Sequence, residues 1–176
     1  NLNVFRPADI NETIECWEAS LNNEKGPSAI ILSRQKLNYI SKLPDKKNKC
    51  LLGAYEVNIS SHDNQVTILA SGSEVELALS TQELLKNSGV ESKVVSVPCQ
   101  ELFDKQSEEY KSKILENNNL IVSLEAGTVS CWYKYLKHND IAIGIDEFGK
   151  SAPYKEIYKY FNLNTESIIN KIKKEL

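Results

Sequence analysis

Four short apolar runs, at residues 66–70, 93–97, 120–124 and 141–145, alternate along this chain with segments whose apolar residues recur at helical spacing. Continuous apolar runs of this length are typical of parallel strands that are covered on both faces. When strands and helices alternate in this way, the sheet is mostly parallel and the helices pack on it. The pattern therefore predicts an α/β fold, built as a three-layer α/β/α sandwich.

A fifth strand is predicted just before these runs. Tyr55, Val57 and Ile59 alternate with polar residues, as expected for a strand with one face in water. Residues 61–64 have turn chemistry, so we expect this strand to form an antiparallel hairpin with 66–70 at the sheet edge. The prediction is a mostly parallel five-stranded sheet with one antiparallel edge strand.

The first 35 residues have their own strand, helix, strand pattern, and they predict the βαβ remnant of another α/β domain. Asp9 is a good N-cap, and Glu12 follows it at capping-box spacing. The helix carries an apolar stripe at helical spacing, which consists of Ile10, Ile14, Trp17 and Leu21. Residues 29–32 predict a buried strand. The edges of such a remnant seek partners, so we expect it to pack on the second domain or on another copy.

Two domains are predicted. The first covers residues 1–43, which hold the strand-helix-strand unit and the start of a linker, and the second covers residues 44–176. The chain contains no methionine, including at position 1, and residues 1–5 are typical of the approach to a strand. These features suggest a carboxy-terminal piece of a longer protein.

Charge and cysteine usage exclude several classes of function. A net charge of −3 and the lack of a basic patch argue against nucleic-acid binding, and no apolar run approaches the roughly 18 residues of a membrane span. The cysteines are scattered without metal-ligand spacing, so a zinc site is not expected. The default expectation is a cytoplasmic protein with reduced thiols. Cys16 and Cys131 stand beside Trp17 and Trp132, which favours core packing for both thiols.

Arg34 is the strongest candidate for a binding residue. Arg6 and Arg34 are the two arginines among 21 basic residues, and Arg34 directly follows a predicted buried strand. A guanidinium offers a planar fork of donors that grips a phosphate or a carboxylate in two places, and lysine does not. Ligands of α/β units are usually bound at strand ends. A structural ion pair is the alternative role.

Other polar groups at strand ends give weaker signals. Gly72 and Ser73 join a strand to a helix, a turn that can bind an anion through free N–H groups, although a plain helix N-cap is the more common role. Glu125 and Asp146 each close a strand, and we expect them to fix loops because neither has a catalytic partner in sequence. Neither His62 nor His138 belongs to a recognisable nucleophile–base set, and no catalytic residue is assigned.

Read together, several stretches closely resemble transketolase. The resemblance covers essentially the whole chain, from the end of the pyrimidine-binding domain through the carboxy-terminal domain. The run of residues 148–154 is its most specific part. The matching residues are Arg6-Pro7-Ala8-Asp9, Asn11-Glu12, Gly26-Pro27, Leu32-Ser33-Arg34-Gln35, Ala70-Ser71-Gly72-Ser73-Glu74-Val75, Glu125-Ala126-Gly127, Trp132, Gly144-Ile145-Asp146, Phe148-Gly149, Ser151-Ala152-Pro153-Tyr154, Tyr158 and Phe161.

The resemblance implies an enzyme that transfers a two-carbon ketol unit from a ketose phosphate to an aldose phosphate in the pentose phosphate pathway. The full enzyme would be a homodimer that uses thiamine diphosphate and a divalent metal, Mg or Ca. The arginine of the family's Ser/Thr-Arg-Gln motif, which contacts the sugar phosphate, matches Arg34. The residues that bind the diphosphate and the metal, and those that activate the cofactor, match no position here. This part alone is therefore expected to bind neither group and to be inactive.

Two alternatives of a different class remain open. One is a stand-alone phosphate- or nucleotide-binding regulatory module, which needs a closed pocket near Gly72 and Ser73. The other is a purely structural dimer-assembly domain, which needs a large apolar patch.

Overall fold

The computed structural model describes residues 1–40, 47–58, 64–116 and 119–176. The strands are β1 (Asn3–Phe5), β2 (Ser28–Ile30), β3 (Tyr55–Glu56), β4 (Val66–Ala70), β5 (Ser92–Ser96), β6 (Leu120–Leu124) and β7 (Ile141–Ile143). The helices are α1 (Ile10–Leu21), α2 (Glu74–Asn87), α3 (Gln100–Asp104), α4 (Glu108–Leu115), α5 (Tyr154–Tyr160) and α6 (Thr165–Glu175).

The main sheet has five strands in the order β3-β5-β4-β6-β7. β5, β4, β6 and β7 are parallel, and β3 runs antiparallel to β5 at the edge. This arrangement confirms the predicted sheet. Side chains alternate between its faces, so that Ile68 packs towards α2 and α6 while its neighbour Leu69 packs towards Phe103 and Trp132. Helices on both faces give the predicted three layers.

The predicted hairpin between the first two strands of this sheet is wrong. Tyr55 of β3 lies opposite Ser96 of β5, and β4 is paired on its two sides with β5 and β6. β4 is buried along its whole length, so it occupies the sheet centre, and the half-wet strand β3 is left to the edge. Ile59 and the predicted turn residues 61–63, with His62, lie outside the described residues.

β1, α1 and β2 form a small parallel unit, as predicted, and this unit packs on the main domain. A shared cluster of buried side chains joins the two parts: Phe5, Cys16, Ala19, Cys50 and Cys99. The packing predicted for this unit is confirmed. The prediction of a buried strand over 29–32 is wrong, because β2 is only half-buried and stops at Ile30, and Ile31 and Leu32 are 55% and 57% exposed. β2 has a single neighbouring strand, so part of its surface stays uncovered.

The apolar stripe of α1 is not core in this structure. Its four large side chains are 50% to 76% exposed, and they are Ile10, Ile14, Trp17 and Leu21. The buried side of the helix carries Glu12, Cys16 and Ala19 instead. The helical spacing correctly identified an apolar face of α1, but it does not show whether other parts of the protein cover that face.

Two short 3₁₀ turns follow the loop after β6, at Val129–Cys131 and Tyr133–Tyr135. Trp132 between them is fully buried, whereas Cys131 is exposed. The core packing predicted for Cys131 is therefore wrong. A 3₁₀ turn has three residues per turn, so neighbouring positions do not fall on the face that an α-helix would give them.

Candidate functional site

Arg34 lies in the loop that follows β2. The Ser33 hydroxyl donates to the carbonyl oxygen of Gln35 at 3.0 Å, which holds this loop in a tight turn around Arg34. Arg34 is exposed, and it forms no salt bridge with any other residue in the described ranges. Within those ranges, no carboxylate pairs with Arg34, so the alternative role in a structural ion pair gains no support. The guanidinium is available to an anionic ligand.

The turn at Gly72 and Ser73 follows β4 and leads into α2. Gly72 has a φ of +56°, and its N–H donates to the carbonyl oxygen of Arg6 at 3.0 Å. Ser73 occupies the N-cap position of α2, but its hydroxyl donates to the Glu74 carboxylate at 2.7 Å and makes no capping hydrogen bond to the helix backbone. A carboxylate already lies at this helix N-terminus. These hydrogen bonds give the anion-binding prediction for the turn no support.

Arg6, to which sequence reasoning assigned no role, forms a hydrogen-bonded ion pair near the ends of the central strands. Arg6 donates from both terminal nitrogens to Glu125, at 2.5 and 2.6 Å, and lies 3.5 Å from Glu74. The hydrogen bond to Glu125 raises the pKa of Arg6. The indole N–H of Trp132 also donates to Glu125, at 3.1 Å. Glu125 therefore fixes the loop after β6, as expected.

Glu74 extends the same network towards α5. Its carboxylate accepts a hydrogen bond of 2.5 Å from the Tyr158 hydroxyl and another from Ser73. Burial raises the pKa of Glu74, while these two hydrogen bonds and the nearby Arg6 oppose the rise. The signal that could have pointed to Arg6 is the one that pointed to Arg34, namely an arginine in a chain that otherwise uses lysine.

Arg6 fills the place where ligands usually bind in sheets of this kind. The strand order changes direction at β4, and ligands of open α/β sheets bind outside the carboxyl ends of the strands at such a point. Here Arg6 lies between the ends of β4 and β6. A cavity of about 90 Å³ remains beside it, and Ser33, Gly72 and Ser73 are among its lining residues. The structure thus brings the Arg34 loop next to the turn, but Arg34 itself does not line this cavity.

Another buried carboxylate, Glu12, lies where α1 meets the main sheet. Glu12 accepts hydrogen bonds from the Ala8 N–H at 2.7 Å, the Tyr55 hydroxyl at 2.8 Å and the Ser96 hydroxyl at 2.5 Å. Burial raises its pKa to about 6, and the hydrogen bonds oppose the rise. Asp9 caps α1 as predicted, by accepting from the Glu12 N–H at 2.8 Å.

The remaining candidates do not assemble a catalytic centre. Asp146 accepts a weak hydrogen bond from the Val129 N–H at 3.4 Å, which fixes a loop as expected. His138 is exposed in a turn, and His62 lies outside the described residues. In the ranges that the structure covers, no three His, Cys, Asp or Glu side chains are grouped so as to hold a metal ion. No helix among the described residues is long and apolar enough to cross a membrane.

Comparison with known proteins gives a consistent result. A family model described as "Transketolase-like TK C-terminal domain" matches residues 53–164. The chain is 40% identical over 177 residues to the transketolase of Aquifex aeolicus, covering 98% of this chain and 25% of that protein.

Solved structures of transketolases also resemble this chain. The transketolase of Campylobacter jejuni superposes with a TM-score of 0.88 at 35% identity, covering 99% of this chain and 26% of that one. A Pichia stipitis transketolase in complex with sedoheptulose 7-phosphate superposes with a TM-score of 0.89 at 34% identity, covering 99% and 25%. The chain thus spans about a quarter of the length of these relatives.

Proposed function

Because this chain belongs to the transketolase family, we propose that it functions as the carboxy-terminal part of an enzyme that transfers a two-carbon ketol unit from a ketose phosphate to an aldose phosphate. The full enzyme is proposed to be cytoplasmic and homodimeric, and to use thiamine diphosphate with a divalent metal. Among the described residues, no group of His, Cys, Asp or Glu side chains is placed to hold the metal, and the family's cofactor-binding residues match no position of this chain. The proposal therefore places both on parts of the family's longer chain that match nothing here, and this part alone is inactive.

The observation that carries the proposal is the free guanidinium of Arg34 at the end of β2. Its fork of donors fits the phosphate oxygens of a sugar phosphate. The phosphate is at the opposite end of the substrate from the reacting carbonyl, so a grip on it orients the carbonyl without touching the chemistry. The Pichia stipitis relative was solved with a sugar phosphate, and that ligand is of the class proposed here.

The division of the chain follows from the same proposal. Residues 1–43 are assigned to the end of the pyrimidine-binding domain with the start of the linker, and residues 44–176 to the carboxy-terminal domain. The boundary falls within 41–46, outside the described residues. The exposed apolar face of α1 supports this assignment, since Ile14, Trp17 and Leu21 are suited to packing against further elements of an α/β domain.

The test is ketol transfer by the complete protein with Arg34→Ala beside wild type. A phosphorylated acceptor is compared with a shorter, unphosphorylated one. Loss of a charged hydrogen-bond partner should cost about 2 kcal/mol, or roughly a 30-fold fall in kcat/KM, with the phosphorylated acceptor. The unphosphorylated acceptor should be nearly unaffected.

Lys25→Ala is the matched control, because it removes an exposed positive charge from the same small unit. It should leave both acceptors unchanged. Equal losses on both acceptors in the Arg34 variant, or no loss on either, would return Arg34 to a structural role and refute the proposal.

A further inference from the structure

A cavity of about 560 Å³ lies between the loop after Arg34, helix α2, and helices α5 and α6. Pockets for small molecules generally have volumes of 300 to 1,000 Å³. This one is several times larger than the cavity beside Arg6. Ser73 lines both, so the larger cavity is close to the turn that the binding-module alternative required.

The floor of this cavity is apolar and partly aromatic. Leu163 is fully buried, while Leu37 and Leu77 are half-buried and contribute apolar surface from the two other walls. The rings of Tyr154 and Tyr158 line one side and meet edge to face, with their centroids 5.9 Å apart. Such a floor suits a flat, weakly polar ring system, which can pack on leucine side chains and on aromatic rings.

The rim is positively charged. Lys155 and Lys159 are four residues apart in α5, so they extend from the same face of that helix, and Lys36 comes from the opposite wall. None of the three forms a salt bridge with another described residue. These three ammonium groups line one cavity and have no salt-bridge partner there, so a bound polyanion would supply counter-charge to them.

Two carboxylates also line the cavity, and one of them is already engaged. Glu76 accepts a hydrogen bond of 2.7 Å from the Asn38 side chain, and Glu166 lies in the first turn of α6. The lysines therefore outnumber the carboxylates at this rim, although the chain as a whole is acidic.

We propose that this cavity binds a small organic polyphosphate with a planar ring system, of the nucleoside diphosphate class. The ring packs on the leucine floor beside Tyr154, and the phosphates are bound by Lys155, Lys159 and Lys36. The site is distinct from the proposed sugar phosphate contact, because it does not use Arg34. It adds to the proposed function a second, non-catalytic binding site.

Equilibrium dialysis of the 176-residue chain with ADP, adenosine and pyrophosphate tests this proposal. ADP should bind at one site per chain, and each of the two partial ligands should bind at least tenfold more weakly, on the order expected for losing one group of contacts. The double variant Lys155→Ala with Lys159→Ala should weaken ADP binding by at least about tenfold. Ser80→Trp should abolish binding by filling the cavity from an exposed position on α2.

Lys171→Ala with Lys174→Ala is the matched control, since it removes the same charge from exposed positions of α6 outside the cavity. It should leave ADP binding unchanged. Absence of ADP binding at millimolar concentration, an equal loss in the control, or full binding by Ser80→Trp would each overturn the proposal. Arg34→Ala should bind ADP normally, so failure here is separable from failure of the ketol-transfer assay.

Discussion

Replacing Glu12 by glutamine should remove a specific pH dependence from the stability of this chain. Burial raises the pKa of Glu12 from 4.5 to about 6 in the folded state. Between pH 4.5 and about 6, the folded chain therefore holds a proton on Glu12 that the unfolded chain has released. Stability from this group is therefore gained as pH falls through about 6, and at neutral pH the ionised carboxylate destabilises the fold.

The size of the effect follows from the two pKa values. Each unit between folded and unfolded pKa corresponds to about 1.4 kcal/mol, so a rise from 4.5 to about 6 gives roughly 2 kcal/mol. Most of this should appear between pH 7.5 and 4.5. Glutamine has no such proton, yet its oxygen can still accept from the Ala8 N–H. Its amide can donate to the hydroxyls of Tyr55 and Ser96, which rotate.

The assay is urea unfolding followed by tryptophan fluorescence at pH 7.5, 6.0 and 4.5. The difference in unfolding free energy between wild type and Glu12→Gln should shift by about 2 kcal/mol in favour of wild type across this range. Glu74 also has a raised pKa, but it is present in both proteins and cancels. The control Glu83→Gln, at an exposed position of α2, should follow wild type. Parallel curves for wild type and Glu12→Gln would refute the reasoning.

Two further substitutions test the packing of the fold by the same unfolding measurement. Arg6→Ala should cost about 3 kcal/mol, because it leaves the Glu125 carboxylate, whose side chain is 6% exposed, without its cation. Adding Glu125→Gln should recover part of that loss, and a cost below about 1 kcal/mol would contradict the assigned role. Gly53→Ala should cost more than about 3 kcal/mol, since φ is +77° and a Cβ would lie 2.1 Å from the Phe103 backbone nitrogen. Gly89→Ala, with φ +78° and open space around it, should cost only about 1 kcal/mol, and equal costs at the two glycines would show that the contact does not matter.

The main sheet was predictable because its strands are buried on both faces. The runs at 66–70 and 120–124 gave the bounds of β4 and β6 to the residue, since a strand covered on both faces is apolar at most of its positions. The partner of β3 was not predictable in the same way. The partner of β3 depends on which strand of the sheet has an unpaired edge, and the local sequence around β3 does not show this.

The same distinction separates the two arginines. Arg34 could be picked out because its position after a strand is visible in the local sequence. The role of Arg6 depends on Glu125, which is 119 residues away, and no short-range spacing connects them. Likewise, the stripe on α1 could be located from its spacing, but its exposure depends on what surrounds the helix.

The position of Arg6 has a consequence for anyone who wishes to cut this protein into parts. A gene trimmed at the proposed boundary would encode residues 44–176, which include the whole main sheet. The product would nevertheless lack the cation that pairs with Glu74 and Glu125, and it would expose a surface that residues 1–43 now cover. We therefore expect residues 44–176 to be less stable alone than joined to residues 1–43, and Glu125→Gln with Glu74→Gln to recover part of the difference.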